Sequence, residues 1–240
     1  MPNFGAIHTA RGDINNIRNT LLEGQQHQTS LMFILKEIVQ NADDCKATRL
    51  GIAWSGGLPE AEHPLLRSPA ILAVNDGPFS KRDAKSIRAI GLSSKENDSS
   101  AVGKFGLGLK TVFLICEAFF YLTGPHADKG VEPGSILNLW FTENEDDVPA
   151  SEWDKLDFTK SDQAKLQAER QRIGLADGFT LWVPLRCREH CQRGGHTAPI
   201  IENYPGDGNH RFLEEFQGDL AKELANLLPL LKHVQTVDLY

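Results

Sequence analysis

Apolar residues recur at helical spacing in two segments near the N-terminus. In the first, apolar residues cluster at helical intervals over residues 14–22, behind Asp13, whose side chain could cap the helix. In the second, six apolar residues follow the 3.6-residue period over residues 31–44, after Thr29 or Ser30 as a cap. The pattern predicts helices over both segments, the second more clearly than the first.

Short apolar runs bounded by Gly, Pro and polar residues predict strands further along the chain. These runs cover residues 50–54, 70–74, 119–122, 136–142, 179–186 and 234–240. Helical patterns predict further helices over 80–90, 107–116 and 164–172, and a long helix over 212–231 with a break near Pro229. The polar run 91–100 predicts a mobile loop, and the acidic stretch 143–157 with the polar helix after it predicts a surface insertion.

This order of elements indicates an α+β protein, because helices and strands do not alternate as regular βαβ units. We expect a two-layer α/β sandwich with a mixed, mostly antiparallel sheet covered by helices on one face. Residues 1–240 are expected to form a single domain, with its core over about 14–186 and a C-terminal helix and strand over 212–240. Because the last apolar strand runs to the final residue, we expect this domain to be the N-terminal module of a longer protein.

Composition narrows the classes of partner. The 240 residues contain 25 Lys and Arg against 32 Asp and Glu, a net charge of −7, which opposes nonspecific binding to nucleic acid or to an anionic membrane. No apolar run approaches the roughly 20 residues of a membrane span, so a cytoplasmic location is expected. Four irregularly spaced cysteines favour reduced thiols over a disulfide framework.

Three polar residues on the second predicted helix form the first candidate site. Glu37, Asn41 and Asp44 are spaced i, i+4 and i+7, so they lie on one side of the helix, away from its apolar face. Two carboxylates and a carboxamide in a row could activate a water molecule, hold a hard cation or bind a polar ligand. The same pattern also fits a solvated helix face, and spacing alone does not separate the two interpretations.

The second candidate site is rich in glycine. Residues 103–108 read Gly-Lys-Phe-Gly-Leu-Gly and directly precede a predicted helix. Glycine lets the backbone approach an anion, and a helix N-terminus offers unpaired N–H groups, so the segment could cradle phosphate. It lacks the Lys-Ser or Lys-Thr ending of a P-loop and does not follow a strand, and a tightly packed turn is an equally good interpretation.

The third candidate site is the turn after the strand at 70–74. It reads Asn75-Asp76-Gly77, and its Asn and Asp oxygens could accept a hydrogen bond from an exocyclic amine. Simple turn formation explains the same residues.

Taken together and in this order, the three candidate sites resemble the GHKL superfamily of ATP-binding domains, which includes Hsp90 chaperones, DNA gyrase, histidine kinases and MutL. The sequence is most similar to the sacsin-like Hsp90-type modules. Residues 35–44, Leu-Lys-Glu-Ile-Val-Gln-Asn-Ala-Asp-Asp, resemble the first motif of that group, and residues 102–113 resemble its glycine-rich lid motif. The likeness spans about residues 14–186.

The resemblance implies a role for each matching residue. Glu37 would be the general base that orients the attacking water, Asn41 would hold Mg²⁺, and Asp44 would line the nucleotide pocket. Backbone N–H groups would contact the phosphates from Gly103, Lys104, Phe105, Gly106, Leu107 and Gly108, with charge added by Lys104 or Lys95. Such a sparse set is sufficient in principle, because phosphoryl transfer depends chiefly on positioning and electrostatics.

Two positions concern the adenine. Thr180 matches a late Gly-Thr motif whose hydroxyl assists the adenine contact. The second family motif, Asp-x-Gly-x-Gly, is altered: Asn75 stands in place of the Asp, Gly77 is kept, and Phe79 replaces the last glycine. Asn75 could accept through its carbonyl or turn to donate, and Asp76 is the alternative adenine contact.

Cys187, His190, Cys191 and His196 are the remaining candidate ligands. They are residue types that bind zinc, but their spacing is irregular, and incidental loop residues are the better interpretation.

The resemblance implies Mg²⁺-dependent ATP binding and slow hydrolysis to ADP, which would switch the conformation of a larger chaperone-like or defence-related protein. The implied cofactors are ATP or ADP and Mg²⁺, and the implied partners are downstream domains, client proteins and a nucleotide-dependent homodimer. A nonhydrolysing nucleotide-regulated scaffold is the alternative. A histidine kinase is disfavoured, because no phosphoacceptor helix pair precedes the domain in this chain.

Overall fold

The computed structural model describes residues 7–9, 30–88, 108–138, 157–189, 201–208 and 211–240. These residues build a seven-stranded sheet with the order β1-β5-β4-β6-β3-β2-β7. The strands are β1 (Ile7–Thr9), β2 (Arg49–Ser55), β3 (Ala70–Asn75), β4 (Ala118–Leu122), β5 (Gly134–Asn138), β6 (Phe179–Pro184) and β7 (Thr236–Leu239). The helix predicted over 14–22 and the loop predicted over 91–100 lie outside the described residues.

The sheet is antiparallel at its centre and parallel at its two edges. Strand β3 pairs antiparallel with β2 and β6, and β4 pairs antiparallel with β5 and β6. The edge pairs, β1 with β5 and β2 with β7, are parallel. The prediction of an α+β protein with a mixed, mostly antiparallel sheet is therefore confirmed.

Most of the helices pack on one face of this sheet, as predicted, and two others cover the opposite face. The α-helices are α1 (Leu31–Asp44), α2 (Lys81–Arg88), α3 (Lys160–Arg172), α4 (Arg211–Gln217) and α5 (Leu220–Ala225). The 3₁₀ helices are η1 (Pro64–Arg67), η2 (Gly108–Leu114) and η3 (Leu228–Leu230). The larger core joins one sheet face to α1, η2, α4 and α5.

A smaller core covers the opposite face of the sheet. There Leu166 of α3 and Leu65 of η1 pack against Leu72, Phe120 and Trp182. Because most residues of helix α3 are polar, the sequence predicts that it belongs to a surface insertion, yet its Leu166 is fully buried. The helix is held in place by Asp162, whose carboxylate accepts the backbone N–H groups of residues 62 and 63.

The long helix predicted over 212–231 is instead three short ones. Helix α4 ends at Gln217, Gly218 and Asp219 follow, and α5 begins at Leu220. Glycine is a poor helix former and aspartate favours the residue before a helix, so this pair interrupts the helix well before Pro229. Pro229 itself lies in the first turn of η3, where its missing N–H costs little.

Of the helices in the described part of the chain, none has both the length and the apolar character needed to cross a membrane.

Candidate nucleotide site

Helix α1 places the polar triad on its outer side. The hydroxyl oxygen of Ser30 accepts the N–H of Phe33, and Glu215 of α4 accepts the N–H of Leu31, so both caps fix the start of the helix. Its apolar residues are buried against η2 and the sheet, as predicted. Of the triad, Glu37 is partly buried, and Asn41 and Asp44 are exposed at the same side of the helix.

The carboxamide of Asn41 has a fixed orientation. Its Nδ2 donates to the carbonyl oxygen of Glu37, one turn earlier, at 2.6 Å. Since Nδ2 is the atom that binds this carbonyl, Oδ1 is the end of the carboxamide that can bind another group. A carboxamide oxygen beside a carboxylate is a ligand type that Mg²⁺ accepts.

The turn after β3 lies against the end of this helix. Asn75, the last residue of β3, is 9% exposed, and its Oδ1 accepts the N–H of Gly77 at 3.0 Å. The sulfur of Cys45, the residue after α1, lies 3.6 Å from the same oxygen. A Cβ on Gly77 would come within 2.7 Å of that sulfur, so glycine is needed for this close approach. The structure thus brings the predicted turn next to Cys45, at the end of α1.

Asp76 stabilises the start of strand β2. Its Oδ1 accepts the backbone N–H groups of Thr48 and Arg49 at 2.7 and 2.9 Å, and its Oδ2 accepts the Thr48 hydroxyl at 2.5 Å. Burial works to raise the pKa of Asp76, but the hydrogen bonds from Thr48 and Arg49 outweigh it and lower the pKa overall. Both carboxylate oxygens of Asp76 are therefore engaged in hydrogen bonds within the protein.

Thr180 lies on the wrong face of the sheet for the predicted adenine contact. It pairs with Val74 of β3 and Leu122 of β4, whose side chains belong to the smaller core opposite α1. Successive residues of a strand point to opposite faces, so an offset of one residue moves a side chain from one face to the other. The Thr180 hydroxyl is buried and has no hydrogen-bond partner among the described residues, but it faces away from Asn75.

Phe179 occupies the position that Thr180 was expected to fill. It pairs directly with Asn75, on the α1 side of the sheet, and its ring stacks on Phe79 with centroids 4.6 Å apart. Phe79 also packs near Tyr121, with ring centroids 5.8 Å apart. Aromatic side chains, rather than a hydroxyl, therefore border Asn75. The alternation of apolar residues along β6 was the signal that could have identified this face.

Only the last residue of the glycine-rich segment is described. Gly108 opens η2 with a φ of +43°, a conformation that favours glycine. Lys95 and the other predicted phosphate contacts, Gly103, Lys104, Phe105, Gly106 and Leu107, lie outside the described residues, so their assignment stays a prediction. The helix predicted over 107–116 is present as a 3₁₀ helix over 108–114.

A buried arginine holds the end of η2. The Arg186 guanidinium donates to the carbonyl oxygens of Phe113, Leu114 and Cys116 and pairs with the buried carboxylate of Glu117. These carbonyls end the helix and would otherwise lack donors. Arg186 thereby fixes the segment that follows the glycines, a role that no motif in the sequence indicated.

Lys110 of η2 contacts helix α2. Its Nζ donates to the carbonyl oxygen of Ser86 at 2.9 Å, and burial lowers the pKa of its ammonium group to about 8. This contact joins the element before residue 89 to the element after residue 107. Both ends of the intervening segment are therefore anchored to each other.

Asp43, beside the triad, proves to be structural. It is buried, and its carboxylate accepts the N–H groups of Lys232, His233 and Val234 ahead of β7. Burial works to raise its pKa, but these three backbone donors lower it overall. The two adjacent aspartates at the end of α1 therefore have different surroundings, since Asp44 is exposed.

The candidate zinc ligands give no metal centre that can be described. Cys187 is partly buried, and His190, Cys191 and His196 lie outside the described residues. Within the described ranges, no group of three or more His, Cys, Asp or Glu side chains is placed to hold a metal ion.

Comparison with known proteins identifies the family of this chain. The family model described as "Sacsin domain" matches residues 14–240. The chain belongs to the sacsin-domain family. It is also similar to human sacsin, with 25% identity over 230 residues that cover 86% of this chain and 4% of the human protein. The sacsin domain described here thus corresponds to a small part of the length of that relative.

Proposed function

We propose that this domain binds Mg²⁺·ATP and hydrolyses it slowly to ADP, and that the hydrolysis drives conformational switching in a larger protein. The observation that carries the proposal is the position of the polar side of α1 beside the turn after β3. Glu37, Asn41 and Asp44 share that side of the helix, and Cys45 contacts Asn75. One end of such a site can bind phosphates and the other a base.

The side chains on this side of α1 are of the types that bind Mg²⁺ and a nucleotide. The carboxamide oxygen of Asn41 suits a hard cation, and Asp44 adds negative charge about one turn further on. The buried carboxamide of Asn75 provides a polar group at the end of the site proposed to bind the base. When bound, Mg²⁺ would neutralise charge on the phosphates.

Glu37 is the residue proposed to act on water. A partly buried carboxylate one turn before Asn41 can accept a proton from a water molecule held near the terminal phosphate. That water then attacks the terminal phosphorus, the bond between this phosphorus and the bridging oxygen breaks, and ADP keeps that oxygen while inorganic phosphate is released. Asn41 and Asp44 bind and orient, and Glu37 moves the proton.

Phosphate release by Glu37 variants tests the proposal. Glu37→Ala and Glu37→Gln are expected to bind ATP with Mg²⁺ like the parent but to release phosphate at least 100-fold more slowly, since general bases contribute about 10²–10⁴-fold. Lys36→Ala is the matched control, because Lys36 is exposed and one residue away on a different side of the helix. Parent-like release by both Glu37 variants would refute the assigned role.

A second outcome would favour a different class of function. If the parent binds ATP and releases no phosphate under any condition, the nonhydrolysing scaffold becomes the better description. The nucleotide-dependent homodimer stays a prediction, and sedimentation with a nonhydrolysable ATP analogue over a range of protein concentrations tests it.

A further inference from the structure

The carboxamide of Asn75 is held in one orientation by its neighbours. The atom that faces the Gly77 N–H at 3.0 Å must be an acceptor, so it is the oxygen, Oδ1. Rotating the amide would set two N–H donors against each other. The Cys45 thiol lies 3.6 Å from the same oxygen, and burial raises its pKa to about 11, so it keeps its proton at neutral pH. The shorter hydrogen bond of this thiol goes to the carbonyl oxygen of Ala42 at 3.2 Å, so the Gly77 N–H is the donor that fixes which end of the carboxamide is the oxygen.

The other end of the carboxamide is a donor. Nδ2 carries two hydrogens, and the hydrogen bonds that Asn75 makes through its side chain to described residues both go to Oδ1. An aspartate at this position would offer its second carboxylate oxygen instead. The replacement of Asp by Asn thus changes the group presented at this position from an acceptor to a donor.

This donor points to the same side of the sheet as helix α1. Asn75 alternates with Val74 along β3 and so shares its face with Ala73 and Ile71, which pack in the core beneath α1. Its direct neighbour on β6 is Phe179, whose stacked ring pair borders it. A pair of aromatic rings therefore lies beside this carboxamide on the α1 side of the sheet.

Asp76 does not restore an acceptor there. Its two oxygens accept three hydrogen bonds from Thr48 and Arg49 at the start of β2. The amide nitrogen of Asn75, and not a carboxylate oxygen of Asp76, is therefore the polar group available at this turn.

We propose that Asn75 reads the base as a hydrogen-bond donor, so that the site binds 6-oxopurine nucleotides at least as tightly as ATP. The inference rests on the proposed nucleotide-binding function. The 6-amino group of adenine is a donor and has no partner in Nδ2, whereas the 6-oxo group of hypoxanthine or guanine is an acceptor that matches it. On the edges that flank its 6-amino group, adenine can accept a hydrogen bond only through its ring nitrogens N1 and N7.

Titration of ATP and ITP tests this directly. Hypoxanthine has an oxygen in place of the 6-amino group of adenine, and its N1 carries a proton. The ratio of the two dissociation constants therefore reports on the edge of the base that Asn75 is proposed to read. With Mg²⁺ present, the parent is expected to bind ITP as tightly as ATP or more tightly. Asn75→Asp, which supplies a second acceptor oxygen, is expected to shift the ratio about tenfold or more towards ATP. Asn41→Ala is the control and is expected to weaken both nucleotides by the same factor.

The outcomes separate this inference from the proposed function. A parent that prefers ATP by tenfold or more, or a ratio that Asn75→Asp leaves unchanged, overturns donor reading while leaving nucleotide binding intact. Absence of binding by both nucleotides to the folded parent overturns the inference together with the proposed function. Because each ratio is measured within one protein, a partly unfolded variant does not distort it, and the parent ratio decides the matter even if Asn75→Asp does not fold.

Discussion

Removal of the Asp43 carboxylate is predicted to destabilise the fold rather than the nucleotide site. The carboxylate accepts three consecutive N–H groups, those of Lys232, His233 and Val234, at 2.6–3.0 Å. In Asp43→Ala these donors lose their acceptor. The Val234 contact is buried, whereas the other two are partly exposed and can recover some hydration.

The magnitude follows from those three contacts. An unsatisfied buried donor costs about 1–3 kcal/mol, and the two partly exposed donors cost less, so Asp43→Ala should lower the free energy of unfolding by about 3–4 kcal/mol. At about 2–4 °C per kcal/mol for a chain of this size, the melting temperature should fall by roughly 6–16 °C. Asp43→Asn keeps an acceptor oxygen but loses the charge, so it should cost about 1–2 kcal/mol.

Urea unfolding of both variants, with Asp44→Ala as the matched control, measures these differences. Asp44 is adjacent but exposed, so Asp44→Ala should change stability by less than about 0.5 kcal/mol and should instead weaken ATP binding. The pKa of Asp43 is lowered in the folded state, so its contribution is complete above the ordinary value of 3.8 and is lost as the pH falls through the lower folded pKa. Equal stability of Asp43→Ala and Asp44→Ala at pH 7 would refute the reasoning.

Three further changes probe the elements around the site. Arg186→Met removes the guanidinium from the buried Glu117 carboxylate and from the end of η2, so the free energy of unfolding in urea should fall by about 3–5 kcal/mol. The double variant Arg186→Met/Glu117→Gln should lose less stability than the sum of the two single variants. Strictly additive losses would contradict the pairing. Lys110→Met should stabilise the protein at pH 7 by up to about 3 kcal/mol, because burial holds the Lys110 pKa near 8. As the pH rises from 8 towards 10.5, the stability of the parent should rise and the advantage of the variant should disappear. An advantage that is constant with pH would contradict the assignment. Gly77→Ala brings a Cβ to 2.7 Å from the Cys45 sulfur and should cost about 1–3 kcal/mol in thermal unfolding, part of which Cys45→Ala should recover; no recovery would place the clash elsewhere.

The elements with strong local signals were predictable from the sequence. Helix α1 begins and ends at the predicted residues because Ser30 caps it and its apolar residues keep the helical period. Strand β3 was expected over 70–74 and spans Ala70–Asn75, since an uninterrupted apolar run ends at an Asn-Asp-Gly turn. The motif residues on these two elements consequently lie where the sequence placed them.

Side chains that depend on strand register or on distant contacts were not predictable in the same way. Thr180 and Phe179 differ by one position, and only the pairing of β6 with β3 shows which of them shares a face with Asn75. Asp43 contacts backbone groups 189–191 residues away, so its structural role has no local signature. The carbonyls that Arg186 binds are likewise about 70 residues away, and nothing in the local pattern marks that residue as buried.

Calorimetric titration of ATP into the purified domain, with Mg²⁺ and then with excess chelator, tests the central claim most directly. The account predicts saturable binding of one ATP per chain that weakens at least tenfold when Mg²⁺ is removed. In Asn41→Ala the affinity should be low and the same with or without Mg²⁺, while the protein melts at the parent temperature. If the folded parent binds no ATP, or binds it equally well with and without Mg²⁺, the assignment of this side of α1 as a Mg²⁺·nucleotide site is wrong.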